Sequence, residues 1–96
     1  MNQAIFTAEA GATQEGFDLL EPLTERTARA LGDDHPDVAR CVANLVLMRR
    51  ALHGAAPEEH QEALRRLTAA LGPTHPAVEA LRERRYLHRT LDPHPF

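Results

Sequence analysis

Apolar side chains recur along this chain at helical spacing. Over residues 35–53, Val42, Leu45, Val46 and Leu52, with Cys41 and Met48 beside them, mark one face of a helix. Residues 54–57, Gly-Ala-Ala-Pro, break it. A second stripe, Ala63, Leu64, Leu67, Ala70 and Leu71, predicts a helix over 57–71. Its counterpart over 14–31 carries Leu19, Leu20, Leu23, Thr27, Ala30 and Leu31, with Pro22 expected to bend the helix or delay its start. Val78, Leu81, Tyr86 and Leu87 predict a last helix over 75–90, before an extended tail at 91–96. Residues 1–12 are weakly amphipathic, with Ala4, Ile5 and Ala8 as contacts. The pattern predicts a single all-α domain of antiparallel helix hairpins.

The elements repeat. Leu31-Gly32-Asp33-Asp34-His35-Pro36-Asp37-Val38 returns as Leu71-Gly72-Pro73-Thr74-His75-Pro76-Ala77-Val78, an offset of 71 − 31 = 40 residues with five of eight positions identical. Ala30 and Ala70, and Arg26 and Arg66, keep the same offset upstream. A period in this range marks stacked repeats. Each joint position has a mechanical role. Gly32 and Gly72 suit the residue just past a helix end, where a Cβ is costly. Asp34 and Thr74 are N-cap types, Pro36 and Pro76 fall in a first turn that needs no donor, and Asp37 places a carboxylate at the positive end of the helix dipole. The same column holds His35 and His75, so a part in building the joint explains both imidazoles.

A helix, an LGxxHPxV joint and a second helix at a spacing near forty resemble the tetratricopeptide repeat in its longer, kinesin-light-chain type. LGDDHPDVARCVANL is similar to that type's LGxxHPDVAxxLxNLA run, with Asn44 and Leu45 on its Asn-Leu pair, and LGPTHPAV is a shorter second match. The matches cover roughly residues 17–87. The chain departs from the family where Arg49 replaces a bulky aromatic, where His53-Gly54-Ala55-Ala56 replaces a Gly-Lys/Arg-Tyr signal, and where Ala43 replaces an Asn. The ending RERRYLHRTLDPHPF resembles the Arg-rich, Asp-Pro-Pro endings of actinobacterial repeat proteins attached to signalling NTPases. The resemblance implies a helical superhelix of about two repeats plus a terminal helix, which receives a peptide or partner protein on its inner surface. On that surface Asn44 is the transferable position. Arg40 lies one turn earlier, and Arg84 falls in the Asn44 column one repeat later (44 + 40).

Composition narrows the function. The 96 residues hold 11 Arg, no Lys, 14 acids and one cysteine, with few aromatics, a mix suited to helices and to one small core. A lone Cys41 allows no intrachain disulfide and reads as cytoplasmic, and no apolar run approaches a membrane span. Net charge is −3, yet residues 1–48 carry 3 Arg against 8 acids and residues 49–96 carry 8 Arg against 6 acids. Arg82, Arg84, Arg85 and Arg89 crowd one terminal segment, with Arg82, Arg85 and Arg89 on one helical face. Two explanations stand: a solvated end cap of the stack, or a site for an acidic partner. The acidic balance and single Tyr argue against nucleic acid.

No catalytic, metal or cofactor site is expected. His53 and His60 stand seven apart across a helix break, and His88 and His94 bracket a proline-containing tail, neither with the i, i+4 spacing that holds zinc on a helix. Glu58, Glu59 and Glu62 complement a helix dipole, and Cys41 lies on an apolar face where a thiol is inert. The expected function is therefore a protein–protein interaction or scaffold module. The alternatives are a regulatory segment of a larger signalling NTPase or transcriptional regulator, and a self-assembling bundle that forms a homo-oligomer.

Overall fold

The computed structural model describes residues 2–54 and 56–87, and of Asn2 the backbone alone. Five helices account for the described secondary structure: α1 (Asn2–Glu9), α2 (Thr13–Leu31), α3 (Pro36–His53), α4 (Pro57–Leu71) and α5 (Pro76–Arg82). The described residues contain no strand, and the fold is all-α. Each helix packs on the next in sequence, which is the consequence of short joints between antiparallel neighbours.

The two copies of the joint have one geometry. Gly32 and Gly72 adopt φ of 92° and 95°, and their N–H groups donate to the carbonyls of Ala28 and Thr68, both at 2.8 Å. A Cβ would meet no atom at either position, so it is the backbone conformation that calls for glycine there. The cap that follows differs from the expected Asp34 and Thr74. His35 and His75 are the N-caps, at φ/ψ of −68°/139° and −66°/139°, and their Nδ1 atoms accept from Asp37 N at 3.1 Å and Ala77 N at 3.0 Å. The reason is the proline. A residue preceding proline is held extended, the conformation of an N-cap, so Pro36 and Pro76 at the first helical position fix the cap on the histidine. His75→Ala should cost about 1 kcal/mol, with Thr74→Ala within about 0.5 kcal/mol of wild type, in denaturant melts.

Helix α3 lies in the middle of the array and buries more than the single face its larger apolar residues predict. Ala39, Ala43, Val46 and Leu47 pack with Ala63 and Leu67 of α4, Ala77, Val78, Ala80 and Leu81 of α5, and Leu87. Cys41, Leu45 and Met48 pack with Ala4, Ile5 and Ala8 of α1 and Leu20 of α2. Ala39 and Ala43 supply part of the face toward α4 and α5, and their small side chains leave a faint periodic signal. On α2 only part of the expected stripe is covered. Leu20 is buried, Leu23 and Thr27 are half-buried, Ala30 is exposed, and Leu19 and Leu31 are 45% and 48% exposed. Pro22 sits within a helix that begins at Thr13, so it delays nothing. Its ring is on the exposed side. Gly16 sets the approach of α1 to α2: a Cβ there would lie 2.6 Å from the Ala4 carbonyl and 2.9 Å from Ala8 Cβ.

The last helix is shorter than the predicted 75–90. It ends at Arg82, where Arg84 takes φ of 59°, its N–H donates to Leu81 O at 3.0 Å, and Arg85 N donates to Ala80 O at 2.8 Å. This is a Schellman closure with an arginine in the position usually given to glycine. Tyr86 and Leu87, expected on a helical stripe, are drawn into the core by this turn: Tyr86 is half-buried against both clusters and Leu87 is fully buried. Residues 88–90 of the predicted helix and the 91–96 tail lie outside the described residues.

Candidate interaction surface

Asn44 projects from the middle of α3 and is fully buried. Its Nδ2 donates to Leu87 O at 3.0 Å, and its Oδ1 accepts from Leu87 N at 2.7 Å. One amide thus satisfies both backbone groups of a residue outside any helix, as a neighbouring strand would. Leu87 has no helical partner for these groups because the turn at Arg84 has already ended α5. The Leu87 side chain, also fully buried, adds an apolar anchor in the cluster shared by α3, α4 and α5.

The arginines singled out from sequence part company here. Arg40 is 7% exposed, and its Nη1 donates to Asp37 Oδ1 at 2.8 Å within the first turns of α3. Arg82 is exposed on α5, 3.9 Å from Glu79 and with Nη1 3.5 Å from Pro73 O. Arg85 is exposed beyond the helix end and is paired with Glu83 at 2.6 Å. Because α5 stops at Arg82, the expected helical face joining Arg82 to Arg85 does not form, and Arg84 is no helical equivalent of Asn44. Arg84 is exposed in the closing turn. Arg89 lies outside the described residues.

Arg49, standing where the resembled family has an aromatic, joins three helices. Its guanidinium lies 5.7 Å from the ring centroid of Phe17 on α2 and bonds Glu59 of α4 at 3.0 Å. His60 is buried on α4, and its Nε2 donates to Leu81 O at 2.7 Å. The sequence held a signal for this: His60 continues the α4 stripe through Ala63, Leu64 and Leu67 at i, i+3, i+4 and i+7.

Cys41 is buried, and burial pushes its thiol up, opposed in part by a hydrogen bond with Thr24. A thiol held protonated is a poor nucleophile. Burial likewise pushes the Tyr86 phenol up, with the Glu9 carboxylate adding to it. Among the described residues no group of three or more His, Cys, Asp or Glu is placed to hold a metal ion, and no helix is long and apolar enough to cross a membrane. His88 and His94 lie outside the described residues. No protein-family model, curated protein or solved structure matches the chain.

Proposed function

We propose that this chain is a non-catalytic protein-interaction module of tetratricopeptide type, which receives an extended peptide on the side of α3 that carries Asn44. The observation behind this reading is the two-way bond between Asn44 and the Leu87 backbone. A side chain that satisfies both the N–H and the C=O of an extended residue recognises any peptide backbone, whether it belongs to this chain or to a partner. The chain's own segment 85–87 then acts as an occupant in cis. A partner peptide with an apolar residue in the place of Leu87 would take over the same bonds and the same apolar seat.

Peptides selected from a displayed random library against the whole chain test this reading through two variants of opposite sign. Leu87→Ala weakens the occupant by removing its apolar anchor, and apparent affinity rises with the fraction of open receptor. Asn44→Ala removes the receptor itself. Selected peptides should therefore bind Leu87→Ala more tightly than wild type, and Asn44→Ala at least about tenfold more weakly than Leu87→Ala. Equal binding to all three proteins would refute the reading.

A second reading, self-association, draws on one observation: Phe6 is 63% exposed on α1, with Leu19 and Leu31 also exposed on α2. Large apolar groups left open on the amino-terminal helices are what a further repeat or a second copy would cover. The alternative of a regulatory segment in a larger signalling protein is compatible with either form of docking.

A further inference from the structure

A cavity of about 80 Å³ opens where the end of α3, the start of α4 and the turn after α5 meet, lined by Arg50, Ala56, Pro57, His60 and Arg84. Its size is far below the roughly 300 Å³ of a cofactor or drug-like site and suits one small group. Its lining is cationic. Arg29, Arg40, Arg49, Arg65, Arg82 and Arg85 each face a carboxylate within 4 Å. Arg50 and Arg84 face none among the described residues, yet sequence positions 34 apart are brought to the same hollow.

Two more features of the cavity point the same way. His60, more than nine-tenths buried, spends its Nε2 on the Leu81 carbonyl, and the ring forms part of the wall. The first turn of α4 has no capping side chain: Ala56 is the N-cap residue and makes no side-chain bond, which leaves the early N–H groups of a 15-residue helix without an internal acceptor. Of the two first-turn acids, Glu59 is drawn away to Arg49 at 3.0 Å, and neither it nor Glu58 lines the cavity. The hollow between Asp33, Asp34 and Arg66 offers a contrast, since there the acids line the wall and Arg66 is bonded to Asp33 O at 3.1 Å.

We infer that the cavity bounded by Arg50, His60, Arg84 and the start of α4 is a binding site for a single oxyanion group, a carboxylate or a phosphate. Two guanidinium groups supply the planar, charge-assisted donors that such groups take, and Ala56 and Pro57 place the wall of the cavity at the positive end of the α4 dipole. The inference draws on neither of the Asn44–Leu87 bonds that carry the proposed function.

Inorganic phosphate and acetate, titrated separately into the whole chain at constant ionic strength and followed by NMR, provide the test. Saturable shifts should localise to the Arg50 and Arg84 side chains and the His60 ring. Arg50→Gln and Arg84→Gln should each weaken binding about fivefold or more, and the double variant should abolish it. Both side chains are exposed, so the variants should fold, and Arg26→Gln, an exposed arginine on α2, should bind as wild type does. Saturation by either anion supports the site, and the tighter of the two identifies the group it prefers. Shifts that grow linearly without saturating, or an undiminished affinity in the double variant, would overturn the inference.

Discussion

Leu67→Asp abolishes the cooperative fold. Leu67 is fully buried on α4 at the centre of the apolar cluster formed with α3 and α5. Removing its side chain from that cluster forfeits about 1.5–3 kcal/mol of burial, and a carboxylate left unpaired there adds several kcal/mol more. A 96-residue domain has on the order of 5–15 kcal/mol to lose, so the sum reaches the lower part of that range. Far-UV circular dichroism should show lost helicity at 25 °C. Cys41, shielded and held protonated in the wild type, should react readily with an alkylating reagent in the variant. Leu19→Asp is the matched control: the same change at a site 45% exposed should shift stability by no more than about 0.5 kcal/mol. A Leu67→Asp protein that keeps a cooperative melt would contradict the assigned core.

Asn44→Ala should lower stability by about 2–4 kcal/mol, because two buried backbone groups of Leu87 lose their partner together. The loss has an escape route. Segment 85–87 can leave its seat and hydrate its backbone, exposing the Leu87 side chain, so the change should appear as local opening ahead of global unfolding. Amide exchange at Leu87 should accelerate strongly while amides in the centre of α3 stay protected. Asn44→Asp should be at least as destabilising as Asn44→Ala at neutral pH, since a buried carboxylate that accepts from Leu87 N is set against the Leu87 carbonyl without a donor. An unchanged melt together with unchanged exchange at Leu87 would show that the bond contributes nothing.

Much of the fold was legible in the chain because its strongest local signals agree with one another. Gly32 and Gly72 close one helix, Pro36 and Pro76 open the next, and the stripes between them have helical period, so the ends of α2, α3 and α4 fall within a residue of expectation. The last helix departs from its apolar pattern for a physical reason. Arg84 is an ordinary helix former in sequence terms, and its left-handed backbone answers to tertiary packing: ending α5 there lets Leu87 reach the core. The cap moved from Asp34 to His35 because the restriction that proline imposes on its predecessor outweighs side-chain preference. The analogy with a peptide groove puts Asn44 and Arg40 on an open surface, whereas both are buried. What covers Asn44 is a segment 43 positions away, a long-range contact that no local pattern encodes. Arg50, His60 and Arg84 meet only through the packing of three helices, so the cavity they line had no signature in sequence spacing.

The seat of Leu87 is where the central claim meets its most direct test. With a library-selected peptide at saturation, hydrogen exchange at the Leu87 amide should rise toward the rate of an open chain as the Asn44 side-chain amide passes to the new backbone, while α3 and α4 stay protected. Leu87 exchange that remains as slow with the peptide bound as without it would mean that partners dock elsewhere, and that the Asn44 bond only fastens the chain to itself.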